Sequence, residues 1–538
     1  MESPAQHLTF TNPATGEPFG RVAMTPLPEV RRAVEDMRAA ARWWGRVPLR
    51  DRVRALRRFQ ELVIDARDEI SAVITQDTGK SRQDALATDI VPMVDNLDEY
   101  CRNAGAWLSP EPVSSGMYFL KRCYIEYRPH GVVAVLGPWN LPWLLAVPPT
   151  VSALLAGNTV VLKPSEVTPA VGALIESLFA RVPELAPFVR VVHGDGGVGA
   201  ALVDARPDYV YLTGSTATGK RVMRAAAEHL IPTTLELGGK DPFIVLEDAD
   251  VNAAARWAVW GAFFNAGQAC VSVERAYVVE PVFDEFVSRV LAFAAQVKQG
   301  YSAEIDNPYD LGPMTSTRQV EIVKQHLDDA RAKGARILSG GAIRGSFIEP
   351  TIVVNVTHDM LLMQDETFGP ILPIMKVTDE AEAIALANDS RFGLGASVWS
   401  NDLERAERVA HELRAGSIVI NDALVSFGLA TLPFGGSGDS GSGRSHGREG
   451  LRQFTRTHAY MVSSPPPAWD IVAILRRPGH YQLTADVLRL LFGVNLRQRL
   501  EPLTERLPGN RKTVAAALGA LGVLATGAFL LSRSRQRG

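Results

Sequence analysis

Residues 208–220 read DYVYLTGSTATGK, and this stretch carries the first decision about the fold. DYVYL has the composition of a strand, the run Gly214-Ser215-Thr216-Ala217-Thr218-Gly219-Lys220 follows, and a helical pattern continues from Lys220 to Leu230. A strand, a glycine turn and a helix start put backbone N–H groups and the Ser215 hydroxyl together at one end of a sheet, where a pyrophosphate is well held. The string stops short of a nucleotide-hydrolysing P-loop, because Lys220 is followed by Arg221 and not by Ser or Thr. A second glycine run lies just upstream. FVRVVHGDGGVGA (188–200) contains a literal G-x-G-x-x-G at Gly194, Gly196 and Gly199. No acid follows it about 20 residues later at the end of a second strand, as the dinucleotide fingerprint requires. The upstream run therefore reads as a decoy and the downstream one as the phosphate grip.

Outward from this stretch, strands and helices alternate. GVVAVLGPWN (131–140) and AGNTVVLKPSE (156–166) are buried strands ending in turns, and strand and helix patterns alternate again from 271 to 435. That rhythm predicts an α/β fold with parallel sheets. The N-terminal part predicts a hairpin over 8–24, then helices over Pro28–Trp44, Arg50–Thr78 and Ser81–Ala106 from apolar positions spaced three and four apart.

FFNAGQACVS (263–272) presents Cys270, with 253–269 expected as a helix running into it and Gly267 as a flexible joint. The chain has three cysteines, Cys101, Cys123 and Cys270, which exclude a disulfide framework and suit a reducing compartment. A lone cysteine is ordinarily a small buried hydrophobe. LELGGKDP (235–242) changes that reading by placing Glu236 34 positions earlier, between apolar neighbours. Burial would raise its pKa toward the range a general base needs. GPWNLPW (137–143) adds Asn140 where a strand gives way to a loop. A thiol, a carboxylate and an amide donor are the parts of covalent acyl chemistry.

The ordered set GPWNLPW, GNTVVLKPSE, LTGSTATGK, LELGGKDP, FFNAGQAC, ETFGP and PFGGSGDSGSGR resembles the aldehyde dehydrogenase superfamily over about residues 8–462. The resemblance implies a Rossmann-like NAD(P)-binding domain (8–121 and 131–238), an α/β catalytic domain (239–451) and a β-arm for oligomerisation (122–130 and 452–463), in a homodimer or homotetramer. It implies Cys270 as nucleophile, Glu236 as base, and Asn140 with the Cys270 N–H as the oxyanion hole. Cofactor contacts are implied for Pro138 and Trp139 after the first strand, for Gly214, Ser215 and Gly219 at the glycine turn, and for Leu237. Lys163, Ser165 and Glu166 match the adenosine side, Glu366 the nicotinamide-side ribose, and Phe368 the aromatic beside the nicotinamide ring. Glu166 points to NAD, with NADP also admitted, since a carboxylate accepts from ribose hydroxyls and repels an added phosphate. No metal is expected. The implied reaction is oxidation of an aldehyde to its acid through a cysteine thioester with hydride transfer to NAD. A CoA-acylating or acyl-reducing enzyme on the same scaffold, or a membrane-tethered binding protein with a lapsed site, stay open as alternatives. Ser437-Gly438-Asp439 departs from the family pattern, where a hydrophobic-basic pair is common.

With 46% hydrophobic and 21% charged residues, the composition is that of a soluble globular protein, and a net charge of −3 gives no basic field for nucleic acid. The N-terminus has no basic n-region or apolar h-region, so no secretory signal is expected. From Asp470 onward 11 Lys/Arg stand against 4 Asp/Glu, a basic tail suited to an acidic membrane surface. A proline-rich linker opens it. Leu483, Val487, Leu490, Leu491 and Val494 then share one helical face near Arg489, Arg497 and Arg499, so 464–512 read as linker and amphipathic basic helix. Residues 513–531 carry no charge and are long enough for a C-terminal membrane anchor, with the body on the cytoplasmic face, a helix that docks on a partner protein being the alternative. The substrate is expected to be an apolar, medium- or long-chain aldehyde, in a tunnel lined by Leu141, Leu145, Phe264 and Val271.

Overall fold

The computed structural model describes residues 6–116, 118, 121–466 and 476–505. Within them the α/β architecture is present. The described residues fall into two compact units, the larger within Met1–Ser109 and Arg128–Arg456, the smaller within Pro110–Tyr127 and Thr457–Gly538.

The larger unit holds two major sheets. The first runs Gly441–Ser442, Thr233–Glu236, Tyr209–Thr213, Val132–Leu136, Thr159–Lys163, Val189–Val191, parallel except for its first pairing. The five parallel strands thus follow the order of a doubly wound fold, whose crevice opens beyond the C-terminal ends of Val132–Leu136 and Tyr209–Thr213. Alternation along Val132–Leu136 explains its unbroken apolar run. Val133 and Val135 join one core cluster with Leu97 and Leu154, while Val132, Ala134 and Leu136 join another with Val30 and Leu202. Both faces are covered, and each fully buried Val or Leu contributes about 1.5–3 kcal/mol relative to exposure. Leu136 stands opposite both Lys163 and Leu212, and Thr213 opposite Glu236, so the segments after these strands emerge along one edge.

The second sheet runs Arg336–Ser339, Thr351–Val354, Ile371–Val377, Val273–Val279, Asp241–Val245, Gly395–Trp399, Ser417–Ile420, again parallel except for its first pairing. Leu237–Lys240 carries the chain from the first sheet directly into it. Residues 437–442 tie the first sheet to the short strand Phe392–Gly393, which leads into Gly395–Trp399 of the second. Ser437–Gly438 pairs with Phe392–Gly393, and Gly441–Ser442 with Leu235–Glu236. Gly441 has φ +108°, and a Cβ there would lie 1.9 Å from the Leu235 carbonyl oxygen, so this closure requires glycine.

Three helices differ from expectation. Arg50–Thr78 is divided into Leu49–Asp65 and Arg67–Thr78 at Ala66, which leaves Asp68 and Glu69 in the first turn of the second helix, where carboxylates suit the dipole. Ser81–Ala106 passes through a π-helical turn, Ala85–Ile90, before Val91–Leu108; Pro92, which has no N–H to donate, lies just beyond the turn. The third, before Cys270, belongs to the site below. In the smaller unit Glu111–Val113, Lys121–Pro129 and Thr455–Ser463 form one sheet, with Tyr124 and Tyr460 stacked at 4.8 Å. The amphipathic helix of the tail is two helices, Tyr481–Phe492 and Leu496–Glu505; Gly493 turns extended, so Val494 lies in the break. Among the described residues no helix is long and apolar enough to cross a membrane, and the candidate anchor 513–531 lies outside them.

Candidate active site

The helix expected to run into the thiol stops early. Val251–Phe263 ends at a tight turn, Phe264–Gly267, in which Asn265 and Ala266 adopt φ of +51° and +58°. Gly267 follows at φ +71°, and a Cβ there would sit 2.1 Å from the Gly369 carbonyl oxygen. Gly267 is therefore a close-packing position, and the flexible joint expected from sequence is a fixed one. The Gln268 side-chain amide locks the turn from both ends: its Nε2 donates to the Asn265 carbonyl at 2.9 Å, and its Oε1 accepts from Thr315 N at 2.9 Å.

Cys270 lies half-buried at the end of this turn, and it and Glu236 line one cavity. Leu144, Leu145, Pro148, Phe427 and Phe434 supply apolar walls. Val271 lines a separate, smaller space beside Asp241, and Phe264 packs on Trp260, so of the four tunnel residues expected from sequence Leu145 is the one on this cavity. Burial, followed by the charges of Asp241, Glu366 and Glu236, pushes the Cys270 thiol well up. Glu236 ends its strand 6% exposed, and neither carboxylate oxygen completes a hydrogen bond. Burial raises its pKa to about 8, against the opposing pull of nearby Ser445 and Arg444.

Asn140 is buried where the chain turns after Val132–Leu136. Its Nδ2 donates to the Gln268 carbonyl at 3.0 Å, which ties it to the thiol turn and leaves its second amide hydrogen available. Asn265 Nδ2 returns the link by donating to the Asn140 carbonyl at 3.1 Å.

The two glycine runs are separated by chemistry. The Gly196–Asp204 helix is capped by Asp195, whose carboxylate accepts from Gly197 N and Val198 N. An anion already sits on those amides, so a pyrophosphate is repelled there. The Thr216–Ala227 helix is capped by the neutral Ser215 hydroxyl, which accepts from Thr218 N at 3.4 Å. Leu237 packs over Gly219, where a Cβ would meet its methyls at 2.7 Å. Farther along the same sheet edge Lys163 Nζ donates to Glu166 Oε2 at 2.8 Å, with Ser165 buried between them. Glu366 accepts from Gly239 N at 3.1 Å, and burial raises its pKa to about 8. Phe368 has φ +50° and meets Trp139, the neighbour of Pro138, edge to face at 5.5 Å. Free helix-start amides, a hydroxyl, an ammonium–carboxylate pair for a ribose diol and a second carboxylate farther along form a donor set that fits a dinucleotide.

The model of the aldehyde dehydrogenase family matches residues 1–460. The chain belongs to the aldehyde dehydrogenase family. It is 45% identical over 451 residues to a 4,4'-diapolycopene aldehyde oxidase of Methylomonas sp, covering 83% of this chain and 84% of that one. It is 34% identical over 486 residues to a Mycobacterium ulcerans protein named for NADP(+)-type succinate-semialdehyde dehydrogenase, covering 86% and 93%. The solved structure of a Mycobacterium tuberculosis aldehyde dehydrogenase complexed with NAD+ superposes with a TM-score of 0.81 at 32% identity, covering 87% of this chain and 96% of that one. This aldehyde dehydrogenase oxidises an aldehyde to the acid with a nicotinamide dinucleotide, NAD, NADP being admitted as well.

Several residues that hold the aldehyde dehydrogenase site were not assigned from sequence. Lys80 Nζ donates to Asp89 at 2.8 Å and to the Asn140 carbonyl at 3.1 Å, and Asp89 also accepts from Leu144 N. Lys240 Nζ donates to Glu274 at 2.6 Å, and Glu274 accepts from Thr367 N and Phe368 N, fixing the loop that carries Glu366. The available signal was charge inside apolar runs, as at Glu274 in the buried strand Val273–Val279.

Proposed function

We propose that the enzyme oxidises an apolar aldehyde by covalent catalysis at Cys270, with Glu236 as hydrolytic base. The supporting observation is that Cys270 and a buried, unpartnered Glu236 share one apolar cavity. Cys270 releases its thiol proton to solvent and attacks the carbonyl carbon as the thiolate, while the spare Asn140 amide hydrogen and the Cys270 N–H stabilise the oxyanion. A nicotinamide dinucleotide held by the Ser215 turn, Lys163, Glu166 and Glu366 would supply the hydride acceptor, and loss of hydride from the tetrahedral adduct leaves a thioester on Cys270. Glu236 then takes a proton from water as it attacks the thioester, releasing the acid and the thiolate. A hydrolytic base in the cavity argues against keeping the acyl group for CoA. Lys163 and Glu166 hold the adenosine ribose, with the Glu166 charge favouring NAD. The Glu111–Val113, Lys121–Pro129 and Thr455–Ser463 sheet joins subunits. The basic tail meets an anionic membrane surface through residues such as Leu483, Leu488 and Phe492, all exposed.

The test is NADH formation across a chain-length series of aldehydes, with Cys270→Ser in parallel. Turnover should rise with chain length and vanish in the variant. Turnover confined to short polar aldehydes would reject the substrate assignment and leave the thiol mechanism standing.

A further inference from the structure

Residues 437–442, which pair with Phe392–Gly393 and with the first sheet, also carry an acid where a hydrophobic-basic pair is common in the family. Asp439 sits between the two pairings. Its carboxylate accepts from Lys220 Nζ at 2.9 Å and pairs with Arg391 Nε at 3.1 Å. Its carbonyl accepts from Thr216 Oγ1 at 2.8 Å, and its N–H donates to the Arg391 carbonyl at 2.9 Å. Thr216 and Lys220 belong to the first turns of the Thr216–Ala227 helix, whose start faces the cofactor crevice. Arg391 belongs to the catalytic half and pairs with Asp365 at 2.6 Å, next to Glu366. The Arg391 charge is also felt at Glu366. One carboxylate therefore spans from the helix at the pyrophosphate end to the loop at the nicotinamide end.

We propose that Asp439 is a positioning residue for the dinucleotide: by joining Lys220 to Arg391 it clasps the two walls of the crevice around the cofactor. The inference rests on the pyrophosphate reading of the Ser215 turn. Side chains of Lys220 and Arg391 are about half exposed and that of Asp439 is 21% exposed, so the clasp is partly open to salt. Isolated pairs of this kind are worth little, but three charges and two backbone bonds on one residue form a network.

The experiment is equilibrium binding of NADH to the full-length protein by fluorescence, at low and high salt, with thermal unfolding recorded alongside. Asp439→Asn should weaken NADH binding about five-fold at low salt. Salt should weaken the wild type more than the variant, bringing the two together. Asp439→Glu should recover most of the loss, and the aldehyde KM should not move. Lys220→Gln, altered at an exposed position, should give a similar loss that is not additive with Asp439→Asn; it carries the test if Asp439→Asn does not fold. Unchanged or tighter NADH binding in both variants overturns the proposal. Gly214→Val keeps the two readings apart: it fills the turn with little inside the protein to clash with, Leu212 Cδ1 at 3.6 Å being the neighbour. If Gly214→Val leaves NADH binding intact, the pyrophosphate reading itself fails; if it weakens binding while the Asp439 and Lys220 variants do not, the clasp alone fails.

Discussion

Glu236 and Glu274 are both buried glutamates, one ending a strand of the first sheet and the other within a strand of the second, and their surroundings are opposite. Glu274 is saturated: Lys240 Nζ and the amides of Thr367 and Phe368 occupy its oxygens. Glu236 has no completed hydrogen bond and opens onto the cavity that Cys270 lines. Leaving a buried polar group unsatisfied costs about 1–3 kcal/mol, more for a charge. The fold accepts that cost at Glu236 by letting it sit neutral, with its pKa near 8, where it can still exchange a proton. In this pair the satisfied carboxylate holds a loop in place, and the unsatisfied one faces the cavity that Cys270 lines.

The sharpest way to break this contrast is Glu236→Gln. Single-turnover NADH release should survive while steady-state turnover falls about 10²–10⁴-fold, and the melting temperature should hold or rise because no bond is lost. An undiminished steady-state rate would remove Glu236 from deacylation. The converse experiment is Lys240→Met, which strands Glu274 without its cation. Stability should drop by about 3–5 kcal/mol in denaturant unfolding, and a drop under about 1 kcal/mol would mean the pair is not structural. The pH profile comes next. A carboxyl raised to about 8 is neutral below that value and basic above it. Deacylation should therefore climb about tenfold per pH unit on the acid side and level off beyond about 8; a plateau already reached at pH 6 would contradict it. The smallest effect belongs to a third glutamate, half exposed and partnered by Lys163. Glu166→Ser should shift the NADP-to-NAD preference by about tenfold, measured as a ratio of kcat/KM.

The same contrast explains what the sequence revealed. Glu236, Cys270 and Asn140 each sit in a short local string, and residue type plus immediate neighbours sufficed to single them out. The α/β alternation was legible in the strand and helix patterns, while the Rossmann-like domain came from the resemblance of the ordered motifs. The Lys80–Asp89 and Lys240–Glu274 pairs were not, because their meaning lies in partners 9 and 34 positions away and in loops farther still. Gly267 was misread in kind: the letter shows conformational freedom, while the Gly369 carbonyl that removes it is about a hundred residues downstream. The early end of the Val251–Phe263 helix has the same origin, since Asn265, in left-handed backbone, is tied by its side chain to the distant Asn140 carbonyl as well as to the neighbouring Gln268 carbonyl.

The pairing of Gly441–Ser442 with Leu235–Glu236 also sets a schedule for synthesis. Asn140, Glu236 and Cys270 all leave the ribosome well before that strand does. The 172 residues between Cys270 and Ser442 take about 9–34 s at about 5–20 residues per second. Through most of that interval the nascent chain carries Cys270 without Phe427, Phe434 and Asp439, which are made only near its end. The cavity that Cys270 lines is completed nearly last, so an interrupted translation product has the thiol without the walls that enclose it.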